Sequence, residues 1–167
     1  ITRPSKEPSK DEIKIRVQAC GICYRDCIDR RGQFAFINTP IVPGHEAVGE
    51  VIAVGPDATR FTIGDRVGSM HRDFCGECDA CKEGQTSLCS NAAAVLGLLV
   101  DGGYAEEMVL PEKCFFSMPK SIKNADAAIM HCTFGTAYRG LHQAGPLKLG
   151  ARILVTGANG GVGHAAV

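Results

Sequence analysis

The densest chemistry in the sequence is "CGECDACKEGQTSLC", which places Cys75, Cys78, Cys81 and Cys89 at C-x2-C-x2-C-x7-C spacing. Thiolates this close in sequence can close tetrahedrally on one zinc ion without help from the rest of the fold. Gly76 and Gly84 let the backbone wrap tightly around such an ion. The rival metal group is an iron–sulfur cluster, but bacterial ferredoxins that share the first two gaps then need C-x3-C-P. Here the last gap is seven residues and Ser90 follows, so zinc is preferred. A zinc held by thiolates at every position has no open site, so this lobe, over about residues 72–90, is expected to be structural. The chain has nine cysteines; an odd number argues against a fully paired disulfide framework. CxxC spacing without a secretion signal favours metal over disulfide, and cytoplasm is the expected compartment.

Three further stretches carry candidate ligands: "CGICYRD" at 20–26, "PGHEAVGEV" at 43–51 and "MHCTFGTAY" at 130–138. Each is weak alone, because a lone His45 is more often structural and a lone Cys132 is more often a small core residue. A fourth stretch, "VTGANGGVG", follows the apolar run Ile153–Val155 and leads into "HAAV". Strand, glycine turn and helix start are the context that a nucleotide-binding turn requires. Gly157, Gly160, Gly161 and Gly163, with Val162 among them, allow close backbone approach to a pyrophosphate. The helix N-terminus offers free N–H groups to it. Ala158 stands where a stricter G-x-G fingerprint has glycine.

The elements that must position these residues are legible in outline. The chain has 167 residues, 45% of them hydrophobic and 22% charged, with a net charge of zero. That balance suits a globular protein and gives no reason to expect nucleic acid or an anionic membrane as partner. No apolar run approaches the ~20 residues of a membrane span. "EIKIRVQA" alternates apolar and charged residues as a half-buried strand does. "AVGEVIAVG", "GDRVGSM" and "GGYAEEMVL" are short Val-rich or mixed runs cut by glycine, with turn signals between them. Up to about residue 118 the pattern is mainly β. It then changes to "SIKNADAAIMHCTFGTAYRGLHQAG", one helical stretch stopped by Gly145-Pro146, followed by a strand in "ARILVTG". The expected division is a β domain over 1–120 and the start of an α/β unit over 121–167.

These motifs, in this order and with the cysteine lobe between the second and third, resemble the zinc-dependent alcohol dehydrogenase branch of the medium-chain dehydrogenase/reductase superfamily. "GDRV" and "GGYAEEMVLP" are similar to signatures of the same family. The resemblance implies a GroES-like catalytic domain with a zinc lobe, then the first helix, strand and glycine turn of a truncated Rossmann domain. It implies two zinc ions and NAD or NADP. Cys23, His45 and Cys132 would hold the catalytic zinc, and Glu46 beside it could coordinate transiently. Asp26 matches the carboxylate that orients the histidine ligand; a capping or surface role is its plainer reading. Tyr24, Arg25 and Thr136 fall where the family approaches its cofactor. Cys27 and Cys114 read as packing residues, and His71, His131, His142 and His164 as non-ligands.

The family's chemistry passes hydride between nicotinamide and a zinc-bound alcohol or carbonyl. One departure weakens the plain alcohol dehydrogenase reading. Such enzymes place Ser or Thr two residues after the first zinc cysteine, and a histidine three further on, as a proton relay. Here those positions are Arg25 and Ile28. A permanently protonated arginine cannot relay; it could bind a phosphate or take part in a structural salt bridge. The "CYRD" form is similar to archaeal members that resemble enoyl-thioester reductases. The expected function is therefore alcohol or aldehyde oxidoreduction. Enoyl-thioester reduction of an acryloyl-CoA-like substrate and a non-catalytic zinc domain are the alternatives. Partners would be small molecules, and a homo-oligomer is expected of the parent. The chain reads as part of a longer enzyme and, alone, as inactive.

Overall fold

The computed structural model describes residues 2–92, 94–145 and 147–167. Five antiparallel strands form one sheet: β1 (Glu12–Cys20), β2 (Ala47–Val54), β3 (Arg66–Ser69), β4 (Glu107–Pro111) and β5 (Phe115–Ser117), in the order β4-β1-β2-β3-β5. Period-two patterning decides which side chains enter the core. Ile13 and Ile15 of β1, and Ala47 and Val51 of β2, face one cluster with Val67, Leu96, Met108, Leu110 and Phe115. Val48, between them in sequence, faces the opposite side. There it packs with Met118, Ala127 and Ala128 under α3 (Asn124–Ala128). Burying each of these larger apolar side chains contributes ~1.5–3 kcal/mol.

The short helices sit at the sheet margins. α1 (Tyr24–Arg30) follows β1, and α2 (Asp79–Lys82) lies in the cysteine lobe. The mainly β architecture up to residue 118 follows the sequence reading. The long helical stretch does not form one helix: α3 is followed by a π-turn, Met130–Phe134, and then by α4 (Gly135–Gln143). The Phe134 N–H reaches the Ile129 carbonyl at 3.1 Å, the wider loop of a π-turn. Pro146, expected to stop the helix, lies outside the described residues.

The strand expected in "ARILVTG" is corrected as well. Residues 151–155 form no strand, and α5 (Gly161–Ala165) follows the glycine turn directly. A strand needs a ladder partner, and none lies beside this run among the described residues. Leu154 is 90% exposed. Among the described residues no helix is long and apolar enough to cross a membrane.

Ile15→Ala is expected to lower stability by about 3 kcal/mol, seen as a lower urea midpoint at unchanged slope. A change within experimental error would remove Ile15 from the core. In the 167-residue chain, amides of residues 151–157 should exchange rapidly while those of β1 and β2 stay protected. Equal protection would show that the run is paired.

Candidate metal centres

Strand pairing brings two candidate ligand loops together. The β1–β2 register sets Cys20 opposite Ala47, so the segment after β1 lies beside the segment before β2. The Gly21 N–H donates to the Glu46 carbonyl at 2.9 Å. A side chain at Gly21 would not fit: an added Cβ would lie 2.2 Å from Glu46 Oε2. Gly44 turns the second loop with φ +94, a conformation that suits glycine. It delivers His45 and Glu46 inward, each 1% exposed. The π-turn then supplies Cys132 from the far end of the domain. Ligand atoms of Cys23, His45, Glu46 and Cys132 all lie within 4.8 Å of one another.

Asp26 stands behind this group. Its Oδ2 accepts the Cys23 N–H at 2.8 Å and the Tyr104 hydroxyl at 2.7 Å. Its Oδ1 lies 3.3 Å from His45 Nδ1, without hydrogen-bond alignment. Burial pushes the Asp26 carboxyl up, but the neighbouring His45 ring and the hydrogen bonds from Tyr104 and the Cys23 N–H outweigh it and leave it below the usual range. With Nδ1 turned to Asp26, Nε2 is the ring nitrogen left for a metal. Both roles considered for Asp26, helix capping and orientation of His45, are compatible with one carboxylate.

The electrostatics of the cluster need a cation. Burial, then Glu46 and Cys23, pushes the Cys132 thiol up to about 12. Among the described residues no Lys or Arg pairs with Glu46. Two sulfurs, an imidazole and a carboxylate fit zinc well.

The other candidate positions separate. Tyr24 points to solvent at 70% exposure. Arg25 turns inward: Nε donates to Asp29 Oδ2 at 3.2 Å and a terminal nitrogen donates to the Leu96 carbonyl. The structural role weighed for Arg25 is the one its contacts match. Thr136 is exposed on α4. Gly157 and Gly160 bound a turn that leads into Gly161, Val162 and Gly163 at the start of α5: Gly157 has φ +70, and the Gly160 N–H closes onto the Gly157 carbonyl at 3.0 Å. His71 Nδ1 and His131 Nε2 lie 3.2 Å apart, and neither belongs to a cluster of three or more candidate ligands. Cys114 is fully buried as a packing residue, and Cys27 is half-buried.

Sequence reasoning missed three contributors: Gly21, Tyr104 and Thr133. The Thr133 hydroxyl donates to Glu46 Oε1 at 3.1 Å. Tyr104 lies in the quoted "GGYAEE" motif, yet nothing local signals that its hydroxyl reaches Asp26. Thr133, next to Cys132, could have been suspected from adjacency alone.

The cysteine lobe is a second cluster, with its four sulfurs also within 4.8 Å of one another. Cys75 and Cys81 Sγ are 4.0 Å apart, and Cys78 and Cys89 Sγ 3.9 Å. A tetrahedron with ~2.3 Å zinc–sulfur bonds has edges of about 3.8 Å, so these spacings suit one zinc. They far exceed the ~2.05 Å of a disulfide. The Glu77 and Cys78 N–H groups donate to Cys75 Sγ and bring that thiol down to about 6. Desolvation, together with the neighbouring sulfurs, pushes Cys81 up to about 12. Little else holds the lobe. Leu88, a large apolar residue of the lobe, is 65% exposed. Arg72 ties the two ends of the lobe together by donating to the Ser87 and Cys89 carbonyls.

Metal binding in such a lobe is folding free energy. Cys81→Ser, or chelation, is expected to open residues 72–90 to protease while β1 and β2 keep their amide protection. Unchanged proteolysis of that segment would refute the structural role.

Comparison with known proteins follows the same lines. Residues 9–120 match the alcohol dehydrogenase GroES-like domain. An acryloyl-coenzyme A reductase from Sulfurisphaera tokodaii is 35% identical over 164 residues, covering 98% of this chain and 49% of that protein. The crystal structure of AibC superposes at TM-score 0.91 with 41% identity, covering 98% of this chain and 46% of that one. A cobalt- and zinc-bound thermostable alcohol dehydrogenase from Pyrobaculum aerophilum superposes at TM-score 0.89 with 31% identity, over 96% of this chain and 48% of that one. The chain spans about half the length of the curated relatives it matches. A β-sheet frame, two ligand clusters and a family match over most of the sheet lead to one assignment: the chain belongs to the alcohol dehydrogenase GroES-like family, within the medium-chain dehydrogenase/reductase superfamily.

Proposed function

We propose that the chain carries the substrate-activating half of a zinc-dependent, NAD(P)-linked oxidoreductase. The observation that carries this reading is the convergence of Cys23, His45, Glu46 and Cys132 from three separated segments, apart from a closed four-cysteine cluster. When bound, zinc supplies Lewis-acid polarisation of an alcohol or carbonyl oxygen, and the nicotinamide gives or takes the hydride. Cys23, His45 and Cys132 hold the metal with one position open to substrate. Asp26 fixes the ring of His45, and Tyr104 and the Cys23 N–H hold Asp26. Cys75, Cys78, Cys81 and Cys89 hold the structural zinc. The turn Gly157–Gly163 receives the cofactor pyrophosphate on its backbone N–H groups. The β domain ends near residue 120, and Tyr24 and Thr136 stand on the cofactor side. The work is cytoplasmic, on small molecules, in a homo-oligomeric enzyme.

A second reading, reduction of an enoyl thioester, is favoured by one observation. Arg25 and Ile28 occupy the positions of the usual proton relay, and Arg25 is tied to Asp29 and Leu96. The relative from S. tokodaii is named for that class of reaction. The two readings share the metal centre and differ in substrate.

Elemental analysis of the purified protein should find two zinc ions per chain, one for each cluster, and Cys132→Ser should lose one of them. One zinc in the unmodified protein, or iron, would sink the reading. Turnover of enoyl thioesters with NAD(P)H but not of alcohols with NAD(P) would select the second substrate class.

A further inference from the structure

Glu46 is buried at 1% exposure, and its two oxygens have different surroundings. Oε1 accepts the Thr133 hydroxyl at 3.1 Å. Oε2 lies over Gly21, where an added Cβ would be 2.2 Å away. The carboxylate thus fills a slot between the loop after β1 and the π-turn, within 4.8 Å of the other candidate ligands. Thr133 follows Cys132 directly on that π-turn, so its hydroxyl is carried by the same rigid turn as a candidate ligand. Gly161 lies on the other side of Thr133, where a Cβ added to that glycine would be 3.6 Å from the threonine methyl group and 3.9 Å from its hydroxyl oxygen. A β-branched side chain has few rotamers, which limits where the hydroxyl can point.

We propose that Thr133 is the positioning residue that sets where Glu46 stands: back against the hydroxyl, or forward on the metal. This rests on the reading that Cys23, His45 and Cys132 hold zinc. Without the hydroxyl, a buried carboxylate with no Lys or Arg partner among the described residues turns to the nearest positive charge, which is the metal. One neutral hydroxyl is a weak enough partner for the carboxylate to be exchanged. Thr133 therefore decides whether the fourth metal position is open to substrate or closed by Glu46.

The test replaces the zinc of the open site with cobalt(II), whose visible absorption reports ligand number and type. Thr133→Val keeps the shape and removes the donor. It should shift the cobalt bands and slow loss of the metal to a chelator on the order of tenfold, the scale on which outer partners move metal affinity. Thr133→Ser keeps the donor and should retain the unmodified spectrum and loss rate. Glu46→Gln should also retain that spectrum, because Glu46 is held back when Thr133 is present. Adding T133V to E46Q should change nothing further. The proposal is overturned by a T133V spectrum equal to that of the unmodified protein, or by T133S matching T133V. It is also overturned by a shift that persists in the E46Q background, or by faster metal loss in T133V. If T133V does not fold, an altered spectrum in E46Q alone overturns it. Failure of the unmodified protein to take cobalt in the open site, with the cysteine lobe loaded, is a different result and sinks the zinc reading itself.

Discussion

The constraint on which the molecule turns is the concentration of thiol and carboxylate donors that no Lys or Arg among the described residues pairs with. Like charges at such separations repel, and a positive ion among them would relieve that repulsion. The Cys132 thiol registers the conflict: burial and then Glu46 push it up to about 12. The lobe shows the same conflict divided between two sulfurs, with Cys75 brought down to about 6 and Cys81 pushed up to about 12. A divalent cation converts each repulsion into attraction. The surrounding structure has to bring like groups together and keep Lys and Arg away from them.

The sheet does the first of these tasks. Cys20 lies opposite Ala47, so the loops leaving β1 and entering β2 are neighbours by strand register alone. The Ala47 N–H donates to Ser69 Oγ at 3.1 Å, which ties the start of β2 to the end of β3. On the opposite face, α3 rests on Val48 and Met118 and carries the π-turn into place. Arg66 fixes the entry to α3 by donating to Asn124 Oδ1 at 2.8 Å. Arg25, a strong cation beside the first ligand loop, is occupied by Asp29 and the Leu96 carbonyl. The second task, exclusion of positive charge, is thereby met without removing arginine from the sequence.

Legibility in the sequence followed the range of the interaction. The cysteine lobe was readable because its ligands are neighbours in the chain. The mainly β fold was readable because the period-two alternation of Ile13, Ile15 and Val17 is a local pattern. The open cluster became readable only through family resemblance, since no spacing rule links Cys23 to Cys132. Two errors share a cause. The π-turn hidden in "MHCTF" has helical composition, and composition does not reveal a single extra residue in a turn. The strand expected in "ARILVTG" has strand composition, but pairing depends on partners that local sequence does not name. Tyr104 and Thr133 were missed for the same reason: each acts through one hydroxyl across a long sequence separation, at Asp26 and at Glu46.

The two clusters should therefore answer to different physics. In the lobe the loops between ligands are short, the apolar support is thin, and the backbone N–H groups that favour thiolate at Cys75 come from the lobe itself. An ion bound there would do the work of a core. In the open cluster, the entropy of bringing Cys23 to Cys132 is large, and the folding of the sheet and of α3 meets it. The frame is built by Ile13, Ile15, Val48 and Val51, all buried in the apolar clusters on the two faces of the sheet. A site prepared in this way would not need all of its candidate ligands to hold the fold, so a metal there could keep one position open. A four-thiolate lobe cannot spare that position, because each ligand that it releases is also a fold contact.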